Sequence, residues 1–176
     1  NLIGTDRSGL LARGNGAAGV AVASTDGVTV GSADAPNTIA FNARGVVISG
    51  FSQQVRTDLN QFRANSGLGI DLLNGSGAAG VTPNDVDDLD IGSNGLQNFP
   101  LLGAVGSVAG MLRVSGSLDV PAASADAGYV LSFHASESCD PDGHGEGQIL
   151  LGSRVLTFSG TAEAFVVDLP MPAPGL

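Results

Sequence analysis

Two stretches of the chain have residue types and spacing that could do chemistry. The first is Asn84-Asp-Val-Asp-Asp-Leu-Asp90. Ca²⁺ takes six to eight oxygen ligands, and a flexible loop with several carboxylates can supply them. Asp85, Asp87, Asp88 and Asp90 repel one another when close, and a cation relieves that repulsion. The spacing is not that of an EF-hand, because its Gly and distal Glu are missing. The competing reading is a solvated turn whose Asp side chains cap local backbone amides. The second stretch is Asp140-Pro-Asp-Gly-His-Gly-Glu146. Asp140, Asp142 and Glu146 form a weaker Ca²⁺ candidate, against the reading of a loop built on a Pro-Asp-Gly turn.

Nucleophilic and transition-metal chemistry have little to work with. His134, His144 and Cys139 are the only soft ligands, too few for a closed zinc site. A Cys–His pair would also need an orienting group. His134 follows Phe133 in an alternating stretch and is expected to face solvent. Polysaccharide hydrolysis or lyase chemistry would fall to Asp58, Asp71, Arg44, Arg56 and Arg63. An inverting hydrolase needs two carboxyls roughly 6.5–9.5 Å apart, and no paired-acid motif recurs. The sequence leaves catalysis undecided and leans against it.

Something must position these residues, and the composition says what. Gly contributes 27 of 176 residues, Asp and Asn are abundant, Lys is absent and Glu occurs three times. That balance favours short strands and tight turns over helices. With 43% hydrophobic residues the chain can bury a core, and with 5% aromatics that core must be aliphatic. The net charge of −10 offers no basic face to nucleic acid. No apolar run is long enough for a membrane span. Cys139 stands alone, so no disulfide forms within the chain. The chain opens at Asn1 without Met, so a targeting segment is expected to have been removed or to lie upstream.

Repetition organises the first part. Asn15-Gly-Ala-Ala-Gly-Val, Asn42-Ala-Arg-Gly-Val and Asn65-Ser-Gly-Leu-Gly-Ile each place Gly three or four residues after Asn. Apolar triplets then start at Val20, Val46 and Ile70, a period of 26 and then 24 residues. Asn37-Thr-Ile-Ala-Phe-Asn42 and Asn60-Gln-Phe-Arg-Ala-Asn65 share a second pattern. Strands this short can bury a face only by stacking turn upon turn. Asn at one corner of successive turns can form a side-chain ladder, and Gly is expected where the chain needs positive φ. From about Gly103 the rhythm lengthens. Leu112–Leu118, Tyr129–His134, Gln148–Gly152, Val155–Phe158 and Ala162–Leu169 read as antiparallel strands. The expected fold is all-β: a short right-handed parallel β-helix of three coils (1–73), an Asp/Asn-rich cap and linker (74–102), and a small antiparallel β-sandwich (103–176).

Asn1-Leu-Ile-Gly-Thr-Asp6, Gly69-Ile-Asp-Leu72, Val81-Thr-Pro-Asn-Asp85, Asn94-Gly-Leu-Gln-Asn-Phe-Pro100 and Phe133–Gln148 together resemble bacterial right-handed parallel β-helix repeat proteins. These are large exported proteins, some with a CSLREA-type segment, and a sandwich-like module follows the helix. The resemblance spans nearly the whole chain. It implies secretion to the extracellular space or cell surface, and it carries no catalytic residues over. It also implies coils before Asn1 and a further strand after Pro170. The expected function is a non-catalytic structural or adhesive protein, self-associating through solenoid ends or the sandwich edge. The alternative is a polysaccharide-binding or polysaccharide-degrading protein.

Overall fold

The computed structural model describes residues 1–122, 128–138 and 143–173. It is all-β, built from small open sheets. A short 3-10 turn covers Ser93–Leu96. Among the described residues no helix is long and apolar enough to cross a membrane.

Eight short strands come first: β1 (Leu2–Ile3), β2 (Ala18–Ala23), β3 (Thr29–Val30), β4 (Thr38–Ala40), β5 (Arg44–Ser49), β6 (Arg56–Thr57), β7 (Gln61–Arg63) and β8 (Ile70–Leu72). They sort into three parallel sheets that each take every third strand: β1-β4-β7, β2-β5-β8 and β3-β6. The apolar triplets stack as their spacing predicts, with Val20 beside Val46 and Val46 beside Ile70. Ile3, Ile39 and Phe62 likewise share one column. Val22, Val30, Ile39, Val46, Ile48, Val55 and Phe62 form the core between the sheets. Each strand is too short to hide its apolar face alone, so burial comes from the neighbouring turns.

Glycine at the repeated corner has a different purpose from the expected one. Gly45 is not in the left-handed region. A Cβ there would lie 2.2 Å from the Gly69 carbonyl oxygen and 2.7 Å from the Phe62 ring. The corner needs glycine because successive turns approach too closely for any side chain. Positive φ falls instead on the residues just before the stacked asparagines: Phe41 (60°), Leu59 (55°) and Ala64 (53°).

Five longer strands follow: β9 (Leu101–Val108), β10 (Met111–Asp119), β11 (Gly128–Ala135), β12 (Ile149–Thr157) and β13 (Ala162–Pro170). They form two antiparallel sheets, β13-β10-β9 and β11-β12. Val114 and Leu118 of β10, Leu131 and Phe133 of β11, and Phe165, Val167 and Leu169 of β13 meet in a second core with Val120 and Phe158. Phe133 and Phe165 pack edge to face at 5.9 Å. On the outer face Arg113 and Asp168 form a two-pronged ion pair, both bonds 2.7 Å. Both partners are over 40% exposed, so water screens most of its worth.

Two strands differ from the sequence reading. β12 is continuous where the pattern suggests two pieces. Its partner register with β11 slips between Phe133 and His134, opposite Gly152, and the bulge keeps one strand intact across the glycine. β9 begins inside the segment read as linker and has no counterpart in the hydrophobic pattern.

Replacing Ile48, 1% exposed, by Ala should cost about 2–5 kcal/mol. Val130→Ala, at 49% exposure, should change stability by less than about 0.5 kcal/mol. Urea unfolding of both variants checks the contrast.

Candidate functional site

The polar residues of the parallel region converge on its last turn. Asn15 donates its backbone N–H and Nδ2 to Asn42 Oδ1, at 3.0 and 3.2 Å. Asn42 repeats this toward Asn65 Oδ1 at the same two distances. A second ladder runs beside it. Asn1 Nδ2 donates to Asn37 Oδ1 at 2.7 Å, and Asn37 donates to Asn60 Oδ1 through both nitrogens. Every rung points the same way, from earlier turn to later turn. Asn37, Asn42, Asn60 and Asn65 are all buried, so an unmet donor here would cost about 1–3 kcal/mol.

The ladder ends on residues from far along the chain. Asn65 donates its backbone N–H to the Glu146 carboxylate at 2.9 and 3.1 Å, and its Nδ2 donates there as well. An ionised carboxylate only accepts, so it terminates a run of donors without asking for another rung. Beside it, Phe62 N–H donates to the Gly147 carbonyl at 3.0 Å. His134 Nε2 lies 3.1 Å from the Asn60 carbonyl oxygen. A carbonyl only accepts, so in this contact the ring donates through Nε2–H, and the Ser132 backbone is a second hydrogen-bond partner of the same ring. At the third corner Asn94, with φ 49°, pairs with Val55. Val55 N–H donates to Asn94 Oδ1 and Asn94 Nδ2 donates to the Val55 carbonyl.

His134 therefore does not face solvent. It does lie on the outer side of β11, as its alternation with Phe133 suggests, but the last parallel turn covers that side. Burial holds its pKa below the ordinary imidazole value, and the hydrogen bond to Asn60 opposes the shift.

Between these three caps the last turn and the outer face of β11 leave a cleft of about 630 Å³. Arg56, Asp58, Ile70, Val130, Phe99 and His144 line it. Arg56 and Asp58 form an ion pair at 2.9 Å, with Arg56 59% exposed. Phe99 and His144 meet edge to face at 5.6 Å. The walls thus combine apolar surface with a planar guanidinium and a carboxylate.

The Asp-rich loop is tied down by its own chain. Asp85 accepts from the Leu89 N–H, while Asp88 accepts from the Asn98 N–H at 2.9 Å. Asn98 bridges back to the Asp85 backbone through both ends of its amide. Asn84 does the same with Phe99. Asp87 and Asp90 are half-buried. Burial raises the Asp88 pKa above the ordinary carboxylate value; the Asn98 N–H opposes this, and Asp85, Asp90 and Asp119 add to the rise. Among the described residues, no three His, Cys, Asp or Glu side chains are grouped so as to hold a metal ion. Asp140, Asp142 and Cys139 lie outside the described residues. Glu146, the remaining member of the second candidate, sits at the ladder's end.

The acids considered for polysaccharide chemistry are also placed. Asp71, 1% exposed, accepts from Arg44 Nη1 at 3.0 Å and from the Gly80 N–H at 3.1 Å. Asp58 pairs with Arg56 at the cleft. No known protein family, curated protein or solved structure matches the chain.

Two titrations test these environments. Because His134 has a depressed pKa, the fold favours its neutral ring. That contribution is full above the unfolded value of about 6.5 and is lost as pH falls through the folded pKa. Urea midpoints taken from pH 7 to pH 5 should drop in the wild type more steeply than in His134→Gln. Asp88 has the opposite sign. Its raised pKa makes stability fall as pH climbs from the ordinary carboxylate value through the folded one. Asp88→Asn keeps the acceptor for Asn98 and should raise the midpoint at pH 7 while matching the wild type near pH 3. Equal midpoints at pH 7 would contradict the assignment.

Proposed function

We propose that the chain is a non-catalytic structural and adhesive module of an exported protein, carried at a cell surface or in a self-assembling fibre. In this reading the three parallel sheets are the three faces of a short right-handed parallel β-helix, and each complete coil gives one strand to each face. The two antiparallel sheets are a small β-sandwich that closes its far end. The observation that carries the reading is the Asn15–Asn42–Asn65–Glu146 ladder. It puts buried polar groups to architectural use. Asp58 and Asp71, the acids best placed for hydrolysis, are each held by an arginine. The resemblance to exported β-helix repeat proteins supports the same reading. Ca²⁺ at Asp85, Asp87, Asp88 and Asp90 is not required by it, because protein hydrogen bonds already hold that loop.

Incubation with acidic and neutral polysaccharides should release no new reducing ends and no unsaturated products. Turnover that disappears in Asp58→Ala or Asp71→Ala would overturn the reading.

The cleft favours a second reading, polysaccharide binding without turnover. Exposed Arg56 and the Ile70 and Val130 side chains offer the mix of fork-shaped donors and apolar surface that sugars engage. Arg56→Ala should then weaken retention on an immobilised acidic polysaccharide about tenfold, as expected for one charge-assisted hydrogen bond. Arg154→Ala, away from the cleft, should leave retention unchanged.

A further inference from the structure

Strand β9 is exposed along all eight of its residues. Leu101, Leu102, Val105 and Val108 are 55%, 64%, 56% and 40% exposed. β9 is the outer strand of its sheet, so among the described residues no strand lies along one side of its backbone. Its register with β10 says which side chains should have been covered. Val105 opposes Val114 and Leu102 opposes Gly116, and Val114 belongs to the buried core. Leu102 and Val105 therefore lie on the core side of the sheet and are still more than half exposed. Among the described residues the facing sheet has two strands against three, and none of them covers this end of the core-side face.

The two outer strands of that sheet are built differently. β13 carries Glu163, Asp168 and Pro170, the charges and proline that ordinarily keep an edge from pairing. β9 reads Leu-Leu-Gly-Ala-Val-Gly-Ser-Val, with no charge and no proline. An unguarded apolar edge of this length is a template for another strand.

We propose that β9 pairs antiparallel with β9 of a second copy of this chain, across a two-fold axis. Three features single out a second copy. A centred pairing sets Leu101 opposite Val108, Leu102 opposite Ser107 and Gly103 opposite Gly106. Leu102 and Ser107 both lie on the core side, since they oppose Gly116 and Leu112, while Leu101 and Val108 both lie on the outer side. The bulge between Val114 and Gly116 is what brings like faces together, so the strand is complementary to itself. Electrostatics point the same way: each copy carries −10, and identical copies meet at least cost along an uncharged segment. Two such edges remove on the order of 1,000 Å² from water, where specific interfaces begin. A two-fold contact of this kind closes on itself, so this edge makes pairs and does not propagate.

The proposal rests on the self-assembly part of the proposed function and names one pairwise contact within it. Sedimentation velocity on the whole chain, from low to high micromolar, should show a species of twice the 17.4 kDa chain mass. L101E/V108E sets glutamates opposite each other at exposed outer positions and should run as a monomer, with the unfolding midpoint that the wild type shows at concentrations where it too is monomeric. L101K/V108K should do the same alone. Mixing the two charged variants should restore a dimer. A wild-type monomer at every concentration overturns the proposal and the self-assembly reading together. An oligomer that persists in L101E/V108E overturns the role of β9 and leaves self-assembly standing. Charged variants that stay monomeric when mixed overturn the two-fold register.

Discussion

A buried carboxamide must find both a donor and an acceptor, and stacking on a copy of itself answers both needs at once. The parallel half of this protein is organised around that constraint. Once Asn42 donates to Asn65 and accepts from Asn15, the vertical spacing of the turns at that corner is set. The approach is then so close that Gly45 tolerates no Cβ. Phe41 and Ala64 must also adopt left-handed backbone, at a cost of roughly 1–2 kcal/mol each. The two ladders offset that cost with hydrogen bonds made out of water's reach. The aliphatic columns of Ile39 and Phe62, or Val22 and Ile48, then fall into register as a consequence.

A ladder that only donates forward needs a terminator. Another asparagine would pass the problem on, because its own N–H groups would need an acceptor. Glu146 ends the series because a carboxylate has nothing further to donate. His134 and Asn94 treat the other corners in their own ways, one ring N–H to a carbonyl and one amide mimicking a strand partner. Glu146 and His134 arrive from the antiparallel half, and Asn94 from the segment between the halves. The two halves are therefore joined by groups that complete the first half's hydrogen bonding, with the cleft as the space left beside them.

The sequence made the repetitive parts legible and hid the singular ones. Val20, Val46 and Ile70 are recognisable as equivalents because the same place in the stack recurs three times, although Val46 is buried and Ile70, in the last turn, is exposed. β10, β11 and β13 showed because one face is buried and the other is not, which forces alternation. β9 did not, since both of its faces are exposed and nothing selects an alternating pattern in Leu101–Val108. His134 alternated correctly with Phe133, yet alternation tells sides apart and cannot tell whether the outer side is wet. Glu146 reads locally as a carboxylate in a turn. Nothing local could show that its partner is Asn65, 81 residues earlier. The Asp85–Asp90 run was legible as a loop, while its pairing with Asn98 depended on a return of the chain that no local pattern encodes.

That 81-residue separation has a bearing on how the molecule comes into being. A chain made or threaded across a barrier from its first residue presents Phe62 and Asn65 long before Glu146 and Gly147 appear. Until then the backbone N–H groups of Phe62 and Asn65 lack the acceptors that the later segment brings. The parallel half can assemble early but cannot be finished early. The arrival of the antiparallel half is the event that locks it, so completion of the product is registered in the stability of its oldest part.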